Sequence, residues 1–138
     1  METKGNEENR RKSARIDAAF TLVYSVDKPY SLRISLGLMD EVNALMLNLS
    51  DSGMAIITKH DIPLATALSI KFNIIDLRLA GDERWRKMEI IAEVISNVKS
   101  TEQGSRASHR IGLRFVNISN SDKQAISDFV KRNVLPES

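Results

Sequence analysis

Apolar side chains recur at every second position in one short segment after another, and this alternation limits the chain to a fold built mainly from strands. Successive side chains of a strand point to opposite faces, so each segment buries one face and leaves the other to solvent. The alternation is clearest in residues 68–74, where Leu68, Ile70, Phe72 and Ile74 carry it. The other segments are residues 20–26, 32–36, 42–49, 54–58, 90–95 and 111–115.

Near the C-terminus the period changes to that of a helix. Ser121 and Gln124 match a capping box, in which the two side chains satisfy free N–H groups at a helix start. The apolar residues Ile126, Phe129, Val130 and Val134 then share one helical face, and Pro136 ends the helix. Antiparallel strands of this kind avoid exposed edges by closing into a small barrel or sandwich.

Length and composition predict one soluble domain. The chain has 138 residues, 42% of them hydrophobic and 28% charged, with no apolar run long enough to span a membrane. The net charge of +2 is too small to predict general nucleic-acid binding. The absence of cysteine excludes disulfides and a zinc site with the usual Cys/His ligands, and it fits a cytoplasmic location. Residues 1–9 are polar and are expected to form a flexible arm without a secretory signal.

A basic cluster follows the arm. Arg11 and Arg15 form an R-x-x-x-R pattern, and Arg10 precedes it. Arginine binds phosphate through two parallel charge-assisted hydrogen bonds and stacks on purines. Ordering residues 10–15 would cost about 1–2 kcal/mol per residue, which only several bonds to a highly charged ligand could offset. A solvated basic tail is the alternative interpretation.

A second polar motif, N-x-S-x-x-G, contains Asn48, Ser50 and Gly53. The Asn48 amide can both donate and accept at a base edge, and Ser50 adds a hydroxyl. Gly53 permits positive φ or close approach of a ligand or of the returning chain. An ordinary turn between two strands would use the same residue types. Taken together and in this order, the two motifs predict a site for a nucleotide with two phosphates.

Other polar and aromatic residues are weaker candidates for a functional site. His60 and His109 are the only histidines, and His109 is expected at a strand end or partly buried rather than as a metal ligand. Asp76, Asp82 and Glu83 border a loop and are expected to be solvated at a charged turn, residues 80–83. Trp85 is expected to fold onto the rim of the sheet, with an exposed partner contact as the alternative. No spacing marks a catalytic nucleophile, so an enzyme is not indicated.

The two motifs and the stretch Ile111–Asn117 resemble the PilZ domain family, which binds the bacterial second messenger cyclic di-GMP. The resemblance covers roughly residues 10–134, and we assign residues 10–138 to this domain. It implies an all-β fold, a six-stranded antiparallel barrel with a C-terminal α-helix. Residues 30–41 are longer than the usual link between the first two strands and are expected to add a hairpin or to extend a strand.

The resemblance also implies roles for the site residues. Arg11 and Arg15, with Arg10 as a third ligand, would bind phosphates and guanine faces. Asn48 and Ser50 would meet the guanine edge, and Gly53 would leave space for it. The arm would close over the nucleotide, and the domain would signal to a partner protein in motility, adhesion or exopolysaccharide control. No metal and no cofactor other than the cyclic di-GMP ligand are implied.

Two alternatives stay open at this stage. The first is a domain of the same fold that acts as a protein-interaction adaptor without cyclic di-GMP. The second is a barrel that binds single-stranded nucleic acid, which needs exposed aromatic side chains for stacking. We expect no DNA or RNA partner, because most of the aromatic residues are assigned to core faces. These residues are Phe20, Tyr24, Phe72, Phe115 and Phe129.

Overall fold

Six antiparallel strands close into a barrel, and a helix follows the last strand. The structure is a computed structural model, and it describes residues 16–37, 40–76, 85–100 and 108–133. The strands confirm the predicted fold class. They are β1 (Ile16–Lys28), β2 (Val42–Leu49), β3 (Gly53–Thr58), β4 (Ala67–Ile75), β5 (Trp85–Ser100) and β6 (Ser108–Asn117). The helices are α1 (Tyr30–Ser35) and α2 (Asn120–Asn133).

The barrel consists of two three-stranded units that meet at two seams. Around the barrel the strand order is β1-β2-β3-β6-β5-β4. Strands β1 to β3 pair in sequence order, and so do β4 to β6. The seams are the pairs β3–β6 and β1–β4, and both join segments far apart in the chain. Closure leaves no strand at an edge, which removes the unpaired backbone groups that an open sheet would expose.

The core lies inside the barrel and under α2, and the alternation in the sequence accounts for it. The inward residues of β4 alternate with outward ones along the whole strand. Leu22, Tyr24 and Val26 do the same on β1. Phe20 was expected on this core face, but its side chain is 37% exposed and contacts Phe129 of α2 instead, with ring centroids 6.1 Å apart. The other four aromatic residues assigned to the core are buried.

Residues 30–35 form the short helix α1 rather than a strand or a hairpin, so this prediction was wrong. Leu32 and Leu36 are partly buried against the core, while Ile34 is exposed. A spacing of four residues places two side chains on one face of a helix as well as on one face of a strand. Ile34 distinguishes a strand from a helix, because it would share the face of Leu32 and Leu36 in a strand but lies on the opposite side in a helix. Its exposure fits the helix. Gly37 follows with φ of +68°, a left-handed conformation suited to glycine.

Helix α2 begins two residues earlier than the capping box predicts. The Ser119 hydroxyl accepts a hydrogen bond from the Asp122 N–H at 3.0 Å, so Ser119 rather than Ser121 is the cap. Three residues of the predicted apolar face, Ile126, Phe129 and Val130, are buried, and Ala125 is buried beside them. Val134 and Pro136 lie outside the described residues. No helix within the described ranges is long and apolar enough to cross a membrane.

Arg86 joins the barrel to the start of α2. Its guanidinium donates to Asp122 at 2.6 Å, to the Ser121 hydroxyl at 3.0 Å and to Asp76 at 3.4 Å. Asp76 is 4% exposed, so the expectation that it is solvated was wrong. The pairing with arginine makes that burial tolerable, because a buried carboxylate needs a cation and hydrogen bonds.

The start of β5 carries a further correction. Trp85 is 61% exposed and pairs across the sheet with Ile75, so it does not fold onto the rim. The predicted arm at residues 1–9, the turn at residues 80–83 and most of the predicted loop at residues 101–108 lie outside the described residues. The assignment of one domain from residue 10 stays a prediction.

The buried phenol of Tyr24 is expected to make the protein less stable at alkaline pH. The Tyr24 hydroxyl lies 2.7 Å from Thr58 Oγ1, and burial raises its pKa above the ordinary 10.0 despite that hydrogen bond. The unfolded chain therefore releases this proton first. Its contribution to stability is complete below the unfolded pKa and is lost as pH rises through the folded pKa. We expect the free energy of unfolding to fall more steeply above about pH 10 in the wild type than in Tyr24→Phe.

Urea unfolding followed by circular dichroism across this pH range measures the difference. Tyr30→Phe is the matched control, since Tyr30 is an exposed tyrosine. It should retain the wild-type slope. Parallel curves for wild type and Tyr24→Phe would contradict the prediction.

Candidate functional site

A bulge in β2 places Asn48 on the outer surface of the barrel. Met46 faces the core, and strict alternation would bring Asn48 to the core as well. The register of β2 against β3 shifts between these two residues, so that Leu47 is an inserted residue. Beyond the bulge Leu49 is buried in the core, and Asn48 lies outside, opposite Ala55. The apolar run before it hides this shift in the sequence, because neighbouring apolar residues show no alternation.

The turn after β2 holds Ser50 in place. The Ser50 N–H donates to the Gly53 carbonyl at 2.9 Å and closes the turn. The Ser50 hydroxyl accepts a hydrogen bond from the Ser52 N–H at 3.3 Å and lies 3.1 Å from the Ser52 hydroxyl. The Ser52 carbonyl in turn accepts from the Phe115 N–H of β6 at 2.9 Å. Ser50 is therefore fixed relative to two strands before any ligand binds.

Gly53 is required by the neighbouring strand. A Cβ at this position would overlap the carbonyl oxygen of Leu113 in β6 and would lie 3.3 Å from the Arg114 Cα. The only positive-φ glycine among the described residues is Gly37, so a left-handed backbone is not the reason for Gly53. Of the reasons considered from the sequence, close approach of the returning chain applies. The role of leaving space for a guanine stays a prediction.

Small residues form a shallow floor next to Asn48. In register across β2, β3, β6 and β5 lie Asn48, Ala55, Gly112 and Ser96. Ala55 is outside the core cluster, and a Cβ at Gly112 would contact Ser96 and Ile95 on this outer face. Asn48 itself is 9% exposed. Ala55 is 7% exposed, and the short side chains beside the Asn48 amide add little bulk above the backbone of β3 and β6.

The start of β1 lies beside the second motif. Ile16, which directly follows Arg15 in the chain, pairs with Leu49, and Asp17 pairs with Asn48. The described part of the chain therefore begins beside the end of β2, opposite Leu49, which lies between Asn48 and Ser50 in the chain. Arg10, Arg11 and Arg15 themselves lie outside the described residues, so their predicted contacts stay a prediction.

The remaining sequence candidates do not contribute to this site. His109 is buried, as expected, and its Nδ1 lies 3.1 Å from the Asn97 side-chain oxygen and 3.6 Å from Asp61. Asn97 donates to Asp61 at 2.8 Å and to the Ile62 carbonyl at 2.9 Å. This group fixes the loop after β3 to β5. The described part of the chain contains no cluster of acidic, histidine or cysteine side chains that could hold a metal ion.

The fold and the site define a class of protein, a small closed β-barrel that presents a polar turn beside its first strand. The PilZ domain family model matches residues 9–132. The chain therefore belongs to the PilZ domain family, as the resemblance predicted. That family consists of receptor domains for cyclic di-GMP.

Solved structures share the fold at low sequence identity. The inhibitor of motility MotI/DgrA from Bacillus subtilis is 20% identical with a TM-score of 0.63, and the match covers 89% of this chain and 50% of that one. The PilZ domain of YcgR from Escherichia coli, solved with c-di-GMP, is 18% identical with a TM-score of 0.58, and the match covers 89% and 92%. MrkH from K. pneumonia is 14% identical with a TM-score of 0.60, and the match covers 89% and 49%.

This chain thus spans about half the length of MotI/DgrA and of MrkH. A comparison with curated protein sequences finds no match. At these identities the likeness establishes the fold alone.

The packing at Gly53 predicts a loss of stability on substitution. Gly53→Ala should lower the free energy of unfolding by about 1–3 kcal/mol, because the added methyl group overlaps a backbone carbonyl that cannot move without shifting β6. Gly112→Ala is the matched control, since its added methyl group meets the Ser96 side chain, which can rotate. Urea unfolding of both variants measures the difference. An equal loss in both would show that the β3–β6 approach is not the constraint on Gly53.

Proposed function

We propose that this protein is a non-enzymatic receptor for cyclic di-GMP that binds the nucleotide on the outer face of the barrel. Asn48 and Ser50 contact a guanine edge, the floor beside Asn48 receives the base, and Gly53 leaves that surface open. Arg11 and Arg15, with Arg10, bind phosphates and stack on guanine. The observation that supports the proposal is the pairing of Ile16 with Leu49, because Ile16 directly follows Arg15 in the sequence and Leu49 lies between Asn48 and Ser50.

The chemistry of the two motifs complements that of the ligand. Cyclic di-GMP combines two phosphates with two guanines, and arginine binds phosphate through paired charge-assisted bonds. An amide such as that of Asn48 offers both a donor and an acceptor to a base edge. Membership of the PilZ domain family and the c-di-GMP complex of the YcgR domain support the same ligand.

We further propose that the bound nucleotide joins the segment before β1 to the strand ends and so changes the surface offered to a partner protein. Order–disorder change of a segment is an established way to convert binding into a signal. The process is motility, adhesion or exopolysaccharide control in the bacterial cytoplasm, which rests on family membership.

Titration calorimetry tests the ligand. Cyclic di-GMP should bind with a Kd in the micromolar range or tighter, about −8 kcal/mol or better. GMP, which has one guanine and one phosphate, should bind far more weakly because it offers the two motifs only half of the groups of cyclic di-GMP. Absence of both heat and a thermal shift at high cyclic di-GMP concentration would overturn the proposal.

Substitutions in the basic cluster test the arginine motif. Arg11→Ala and Arg15→Ala should each weaken binding by about 10- to 100-fold, since each removes a charge-assisted contact. Lys12→Ala is the matched control, because it removes the same charge from the same segment outside the motif, and it should change affinity little. If all three variants weaken binding equally, general attraction of a basic segment for an anion explains the affinity.

A second candidate function is a protein-interaction adaptor that does not depend on the nucleotide. Exposed apolar side chains on the outer face favour it. Leu45 and Ile57 line a groove of about 650 Å³, and Val98 lies in the same row across the sheet. Lys59 lines the groove as well, and Arg110 lies between Ile57 and Val98, so a partner segment with apolar and acidic side chains fits. The titration separates the candidates, because the adaptor would show no nucleotide binding.

A further inference from the structure

We propose that Arg114 of β6 is a further cyclic di-GMP-binding residue, whose guanidinium leaves Glu93 and binds the acceptor edge of a guanine. Arg114 belongs to neither sequence motif. The inference rests on the proposed function and deepens it, since it adds a base-reading residue on the side of the site opposite β1.

The position of Arg114 follows from the β3–β6 seam. Arg114 pairs in register with Gly53, the last residue of the second motif. Its neighbours Leu113 and Phe115 are buried in the core, so Arg114 points to the outer face, where its side chain is 63% exposed. Gly112, two residues earlier on the same face, belongs to the floor beside Asn48. At the usual rise of a strand this separation is about 7 Å, within reach of an arginine side chain.

The backbone around Arg114 is held rigidly to the motif. The Phe115 N–H donates to the Ser52 carbonyl, and Ser50 closes the same turn through Gly53. Gly53 lies opposite Arg114 and has no side chain that could contact the guanidinium. A ligand that meets Ser50 and Asn48 therefore lies beside a pre-positioned guanidinium, which reduces the entropy lost on binding.

Arg114 can exchange its present partner at small cost. Its guanidinium donates to Glu93 of β5, the residue opposite it in register. The Arg114 side chain is 63% exposed and that of Glu93 32%, and ion pairs that water reaches contribute little to stability. A hydrogen bond from this guanidinium to a bound ligand, where less water competes, is more stabilising than its hydrogen bond to a solvated carboxylate.

The guanine rather than the phosphate is the partner that the arrangement favours. Around the barrel the order is β1, β2, β3, β6, so the start of β1 and Arg114 lie on opposite sides of Asn48. If the phosphates of cyclic di-GMP bind on the β1 side, as proposed above, Arg114 lies near a guanine on the opposite side of the ligand. The O6 and N7 atoms of guanine accept two hydrogen bonds from one arginine, which is a common specific contact of this base.

Three substitutions and a control test the proposal by calorimetry with cyclic di-GMP. Arg114→Ala should weaken binding by about 5- to 100-fold. Arg114→Lys should weaken it similarly, because lysine keeps the charge but lacks the planar fork. Arg110→Ala should stay within about 2-fold of wild type, since Arg110 pairs with Ile57 and not with Gly53, and so lies on the side of Gly112 away from the Ser50 turn, about 13 Å from Arg114. Glu93→Gln should leave affinity unchanged or tighten it, because it removes the competing carboxylate.

Each result that contradicts the proposal shows which part of it is wrong. If Arg114→Ala binds like Arg110→Ala, Arg114 is not a ligand contact. If Arg114→Lys binds like wild type while Arg114→Ala is weak, the partner is a phosphate and the base contact is overturned. Weakening in Glu93→Gln by more than about 5-fold would overturn the exchange of partners. A wild type that binds no cyclic di-GMP would instead refute the proposed function, and thermal unfolding confirms that each variant is folded.

Discussion

The seam between β3 and β6 is the constraint on which the barrel and its site depend. It joins the two three-stranded units, and it runs directly beside the second motif. The strands approach so closely at Gly53 that a single methyl group would overlap the backbone of β6. The same approach fixes the turn that carries Ser50, because the Ser52 carbonyl accepts from the Phe115 N–H. A residue that looks like a ligand contact in the sequence is thus also a packing requirement of the fold.

The β2 bulge makes a polar motif compatible with an apolar core. Without the inserted Leu47, Asn48 would share the inward face of Met46 and would be a buried amide in need of partners. With it, Leu49 takes the core position and Asn48 lies on the outer face beside Ala55 and Gly112. Bulges are common next to functional sites because they re-aim one side chain without disturbing the rest of a sheet.

Much of the fold was predictable because it rests on local patterns. The inward residues of β4 follow one another in strict alternation, and the apolar face of α2 repeats with the period of a helix. The predictions from the sequence were wrong where a local pattern fits two structures, or where a residue far away in the chain determines whether a side chain is buried. Leu32 and Leu36 fit a strand face and a helix face equally. Asp76 is polar and near a turn, yet Arg86 draws it into a buried contact with the barrel and α2.

By itself the sequence determined that the chain alternates as strands, ends in an amphipathic helix and carries two polar motifs of the PilZ family in order. Only the tertiary structure decided that Ile16 pairs with Leu49, that Asn48 faces outward and that Arg114 lies opposite Gly53. The physical reason is the range of the interactions. Side-chain periodicity is a property of neighbouring residues, whereas strand register and barrel closure depend on hydrogen bonds between segments far apart in the chain.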